Sequence, residues 1–216
     1  MNQNLTEIVF LLDRSGSMAG LEADTIGGFN AMLEKQKQAE GEAILSVVLF
    51  DGVSEVICDR MDIREAEPMT DRQYFVRGST ALLDALGGAI HHIATAHRFA
   101  REKDRPAKTV FVITTDGLEN ASRRYSYREV RQMVERETGK YGWEFLFLGA
   151  NMDAVAAAGN VGIRADRAVR YEHDGRGTAL NFKVVSETVC NMRCDAPIAA
   201  NWKDEIDEDF RRRHRR

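Results

Sequence analysis

Short apolar runs alternate along this chain with longer stretches in which apolar residues recur every three or four positions. Ile8–Leu12 is apolar throughout, and Ala43–Phe50, Thr109–Thr114 and Trp143–Leu148 are nearly so. Ala168–Tyr171 is a weaker sixth strand. Between them lie helical patterns. Ile26, Phe29 and Leu33 mark one face over Leu21–Glu40, and Leu82, Leu86, Ile90, Ile93 and His97 mark one over Thr80–Arg101. Tyr127, Val130 and Val134 do the same in Ser126–Lys140, as do Phe182, Val185, Val189 and Met192 in Thr178–Arg193. Asp153 predicts the cap of a short helix that Gly159 ends.

Strands apolar on both faces and alternating with helices predict an α/β protein with a parallel sheet covered on both sides. The exception is Asp51-Gly52. It joins "AILSVVLF" to "VSEVICD" and predicts a hairpin, so the third strand should be an antiparallel edge. In open sheets of this kind ligands gather at the carboxyl ends of the strands. "DRSGSM" (Asp13–Met18) follows the first strand, and "TDGLEN" (Thr115–Asn120) follows the fourth.

Composition narrows the class. A chain of 216 residues with 44% hydrophobic content is sized for one full core. The net charge of −4 gives no general argument for nucleic acid. The last six residues, "RRRHRR", hold five arginines, so an acidic body ends in a basic tag. Such a block of like charge reads as a solvated tail, with an acidic partner or nucleic acid as the alternative. Cys58, Cys190 and Cys194 read as reduced thiols, since "CNMRC" lacks the second ligand pair of a zinc site. With no leader and no run of about 20 apolar residues, the expectation is a cytoplasmic protein with no membrane partner.

The chemistry at the strand ends has several candidate forms. Dinucleotide binding wants a glycine-rich turn, but Asp13 and Arg14 occupy that turn and only Gly16 is present. A phosphohydrolase using Asp13 as nucleophile would want a second aspartate two residues on, where Ser15 stands. A serine nucleophile needs a positioned base, and none of the five histidines reads as lying in a strand-end loop near Ser15 or Ser17. No catalytic residues are therefore assigned, and the chain reads as non-enzymatic. A hard cation fits better. Asp13, Ser15 and Ser17 offer three oxygens from one loop, Asp116 adds a carboxylate, and Thr80 in "GSTAL" starts a helix at the same edge. Two aspartates neutralise a divalent ion, and three neutral hydroxyls coordinate it without quenching it. Each segment also has a structural reading: Ser15 and Ser17 as helix caps, Thr80 as an N-cap, and Asp116-Gly117 as a turn.

Together, "DRSGSM", "GSTAL" and "TTDGLEN" resemble the three segments of the metal ion-dependent adhesion site of von Willebrand factor type A domains. The resemblance spans roughly Leu5–Cys194. It implies a Rossmann-like three-layer α/β/α fold with a mostly parallel six-stranded sheet of order 3-2-1-4-5-6. It implies Mg²⁺ or Mn²⁺ held by Ser15, Ser17 and Thr80, with Asp13 and Asp116 acting directly or through water. Its ligand would be a carboxylate of a partner protein, and a shift of the last helix would accompany the change of coordination. The division expected is a domain over 1–194 and a C-terminal extension with a basic tail over 195–216. In the extension, Trp202, Ile206 and Phe210 are spaced to form a helix that docks on the domain. Arg123 and Arg124 follow "TDGLEN" and read equally as selectors of an acidic ligand or as a solvated loop.

Overall fold

The computed structural model describes residues 1–214. Six strands form one sheet: β1 (Asn2–Asp13), β2 (Glu42–Phe50), β3 (Ser54–Asp62), β4 (Pro106–Thr115), β5 (Glu144–Ala150) and β6 (Ala168–Tyr171). Their order is β3-β2-β1-β4-β5-β6. All pairings are parallel except β2 with β3, as the Asp51-Gly52 hairpin requires. The helices are α1 (Glu22–Gln38), α2 (Leu82–Phe99), α3 (Tyr127–Tyr141), α4 (Ala154–Asn160), α5 (Gly175–Arg193) and α6 (Asp204–Arg213).

The alternation of side chains along a strand explains why β1 needs an unbroken apolar run. Ile8, Phe10 and Leu12 point into a core shared with α1 and α5, while Val9 and Leu11 point into a second core under α2 and α3. The α1–α5 layer is tight at Gly28, where a Cβ would lie 2.3 Å from the Phe182 ring. β1 is longer than its apolar run. Its first residues, Asn2–Asn4, are strand despite being polar, because this end of the sheet is only partly covered, while Thr6 and Glu7 beyond them are already buried. α5 begins at Gly175, earlier than the apolar pattern suggests, because the Asp174 side chain caps it by accepting from Gly177 N at 2.7 Å.

The C-terminal segment packs on the domain. Trp202 and Ile206 join the α1–α5 core, and Trp202 Nε1 donates to the Asp166 carbonyl at 2.8 Å. The expected solvated tail is corrected in part, because Arg211–Arg213 are helical. Arg212 pairs with Glu208 and Arg213 with Asp209, each one helical turn back, so the cations are balanced within their own helix. Arg213 also pairs with Asp174 at the start of α5. Arg215 and Arg216 lie outside the described residues. No described helix is long and apolar enough to cross a membrane.

Candidate metal centre

The loop after β1 is fixed backbone atom by backbone atom. Arg14 N donates to Phe50 O, and Arg14 O accepts from Arg77 N, both at 2.8 Å. Gly16 N donates to Gly78 O at 3.1 Å, and the Tyr74 hydroxyl donates to Asp13 O at 2.5 Å. Arg14 is the one side chain of "DRSGSM" turned fully inward as a cation. Its Nε donates to Asp51 Oδ2 at 2.8 Å and it meets Glu55 at 2.7 Å. Arg77 reaches the same Asp51 oxygen, and both guanidinium groups lie over the Phe75 ring.

This scaffold presents the predicted residues at one edge. Asp13, the last residue of β1, is fully buried. Its Oδ1 accepts from Ser15 N at 2.7 Å and its Oδ2 from Thr115 Oγ1 at 2.6 Å. Burial pushes the Asp13 carboxyl above its ordinary value. The bonds from Thr115 and Ser15 oppose that rise, and the nearby charge of Asp116 adds to it. Ser15 is buried and Ser17 exposed, with their hydroxyl oxygens 3.0 Å apart. Neither serine is a working cap. The short turn at Gly16–Met18 has Ser15 at its start, yet no cap bond from its side chain.

Thr80 is not the N-cap of α2 either, since that position is Ala81. Thr80 is buried and tied to the loop after β4. Its N donates to Asn120 Oδ1 at 2.9 Å, and its carbonyl accepts from Asn120 N and Ala121 N. Glu119 and Asp84 complete this lashing. Glu119 accepts from Leu83 N, Ala121 N and Ser122 N, and Asp84 accepts from the amides of Arg123, Arg124 and Tyr125. Arg123 and Arg124 have exposed side chains, and Arg124 lines the groove between β3 and α2.

The convergence is clearest at Gly117. A Cβ there would lie 2.7 Å from Thr80 Oγ1, 3.0 Å from Ser17 Oγ and 3.7 Å from Ser15 Oγ. The volume a methyl group would fill is thus bounded by three hydroxyls from two separate loops. Beside it Asp116 is buried, and neither of its carboxylate oxygens has a hydrogen-bond partner. A buried charge left in this state is costly unless it is paired or coordinates a cation. The donor set fits a hard, oxygen-preferring ion. Among the described residues no group of three or more His, Cys, Asp or Glu is placed to hold a metal, so a cation here would need the hydroxyls as ligands.

One residue near the site was missed. His173 lies in the loop after β6, and its Nδ1 is 2.9 Å from Asp116 Oδ2. The expectation that no histidine occupies a strand-end loop near the serines is therefore corrected. Its strand-end position was readable, since His173 follows the predicted sixth strand by two residues, but its contact with Asp116 was not.

Residues 2–159 match the family described as "VWA domain containing CoxE-like protein". No curated protein matches the chain. Several solved structures share the fold at low identity. Proximal thread matrix protein 1 from the mussel byssus, solved with a zinc-occupied MIDAS motif, superposes with a TM-score of 0.60 at 16% identity, over 88% of this chain and 47% of that one. A von Willebrand factor type A protein from Catenulispora acidiphila gives 0.57 at 16% identity, over 88% and 43%. The vWF domain of the type V pili tip protein Mfa5 from Porphyromonas gingivalis gives 0.58 at 10% identity, over 85% and 94%. The chain spans about half the length of the mussel protein. With the six-stranded order and the extent of the family match together, the chain belongs to the VWA domain containing CoxE-like family.

Proposed function

We propose that this chain is a non-enzymatic, metal-dependent protein-interaction module. Its ion, Mg²⁺ or Mn²⁺, is held by Asp13, Ser15, Ser17, Thr80 and Asp116, and it takes a carboxylate from a partner protein. The observation that carries this reading is Asp116, buried with both oxygens unbonded beside the hydroxyls gathered around Gly117. Asp13 and Asp116 would balance the formal charge of a divalent ion, and hydroxyl ligands would leave it electrophilic toward a further carboxylate. The three hydroxyls orient it, and Thr115 and Ser15 N hold Asp13 in place. Phe75 and Leu118, both exposed, sit on the loops that carry the site, as an aromatic and an aliphatic contact for a partner would.

The family match supports this reading, as does the metal-occupied motif named for the mussel protein. The phosphohydrolase reading gains nothing from Ser15, which donates its amide to Asp13 and carries no acid. A nucleic-acid tail loses force because Arg212 and Arg213 are paired within α6. Calorimetry with Mg²⁺ and Mn²⁺ should give a binding isotherm that Asp116→Ala abolishes. Pulldown in Mg²⁺ should recover a partner that chelator releases. No heat with either ion, and identical behaviour of the variant, would defeat the proposal.

A further inference from the structure

His173 stands outside every segment of the motif, yet its imidazole meets a buried carboxylate, Asp116, neither of whose oxygens has a hydrogen bond. Its Nδ1 is buried, lies 2.9 Å from Asp116 Oδ2, and is not aligned with it for a hydrogen bond. At this distance the two atoms can pair as ions, yet neither has an aligned hydrogen bond, and a cation shared between them accounts for both. Two ligands each about 2.1 Å from an ion and at right angles stand about 3.0 Å apart. The Asp116–His173 separation matches that edge, as does the 3.0 Å between Ser15 Oγ and Ser17 Oγ.

The placement of His173 is built. Tyr171 before it is buried, Asp174 after it caps α5, and Asp174 N donates to Glu172 O at 2.9 Å. Arg213 of α6 pairs with Asp174 and fixes the loop from the outside. The ring is therefore delivered to the site by secondary structure on both sides.

We infer that His173 is a nitrogen ligand of the ion at this centre beside Asp116, with Asp13, whose two oxygens are already bonded, acting through water, and that it shifts the site's preference from Mg²⁺ toward Zn²⁺ and Mn²⁺. This rests on the metal-site reading above and deepens it. An all-oxygen set of carboxylates and hydroxyls suits Mg²⁺, which accepts nitrogen donors poorly. One imidazole favours the later first-row ions.

The test uses the full chain. Zn²⁺, Mn²⁺ and Mg²⁺ are titrated calorimetrically into the parent, His173→Ala, His173→Asn and Asp116→Ala, with melting in chelator to confirm folding. Electron spin echo modulation of the Mn²⁺-loaded protein reads directly bound ¹⁴N. The expected result is a loss of about tenfold or more in Zn²⁺ and Mn²⁺ affinity in His173→Ala, against less than about threefold for Mg²⁺. The imidazole nitrogen signal should vanish with it. Equal losses for all three ions, recovery of Zn²⁺ affinity by His173→Asn, or no nitrogen signal dependent on His173 would overturn the inference. The proposed function would then stand as long as Asp116→Ala still abolished binding. Absence of binding of any ion to the parent would overturn both.

Discussion

Glu7 and Asp116 are both buried carboxylates of the central strands, and the protein treats them in opposite ways. Glu7, in the amino-terminal half of β1, is fully inaccessible and fully partnered. Arg60 Nε reaches its Oε1 at 2.7 Å, and His97 Nε2 closes on its Oε2 while packing edge-on against Trp143. Asp116, just past the end of β4, has no hydrogen bond at all. Asp51 belongs with Glu7, since it accepts from Arg14, Arg77 and Val53 N. Where a charge serves the architecture, the chain has supplied its counter-charges. Asp116 has only the unaligned imidazole of His173 beside it, and it adjoins the glycine around which the hydroxyls gather.

The contrast can be broken from either side. The largest effect should come from Glu7→Gln. Stripping the charge from a buried pair leaves Arg60 and His97 short of a partner and should cost about 3–5 kcal/mol in urea denaturation. Ion affinity of the folded protein should not move, and a loss of binding there would merge two regions held to be distinct. Asp116→Asn should do the reverse. Ion affinity should fall about 100-fold by calorimetry. Stability in chelator should hold or rise by about 1–3 kcal/mol, because an unpaired buried charge has been removed. A strongly destabilised variant would show that Asp116 is structural after all.

Gly117→Ala places a methyl group against Thr80 Oγ1 and should lower ion affinity about tenfold. Its folding cost should be within about 1 kcal/mol, because the hydroxyls it meets are side-chain termini. The smallest effect is in pH. Burial pushes Asp51 up, but the bonds from Arg77 and Arg14 outweigh it and hold the carboxyl below its ordinary 3.8. Its contribution is present above that value and lost as pH falls through the lowered one. Asp13, raised by burial, works in the other direction and is relieved by protonation. Stability measured at pH 5 and pH 3 should therefore drop less in Asp51→Asn than in the parent, and an unchanged slope would refute the pairing.

The fold was legible because its rules are local. Ile8–Leu12 is apolar on both faces because the sheet is covered on both faces, and Asp51-Gly52 is a turn wherever it occurs between strands. Asp13, Ser15, Ser17, Thr80 and Asp116 could be placed at one edge because each follows a strand or precedes a helix. What could not be read are contacts made by the return of the chain. His173 reaches Asp116 because α5 packs beside α1, which carries the loop after β6 across the end of the sheet. Nothing near position 173 encodes that crossing. The polar start of β1 was hidden for a related reason: backbone pairing at a partly covered end requires no apolar side chains. Arg212 and Arg213 looked like a tail because their balancing acids, Glu208, Asp209 and Asp174, become neighbours only once α6 forms and docks.

The lashing of the loop after β1 has a consequence for the entropy of recognition. Asp13 O, Arg14 N, Arg14 O, Ser15 N and Gly16 N are all bonded within the protein itself. That half of the proposed centre is pre-organised, so its ordering cost would be met during folding and not during capture. Immobilising a rotamer-rich side chain at a binding site costs about 0.5–1.5 kcal/mol, and Asp13 and Ser15 avoid most of it. In the opposing half the loops of Asp116 and His173 are tied by backbone bonds and ion pairs, but the Asp116 carboxylate and the His173 Nδ1 have no hydrogen bond of their own. In the proposed capture, adjustment would thereby be confined to two side chains on one side of an already fixed frame.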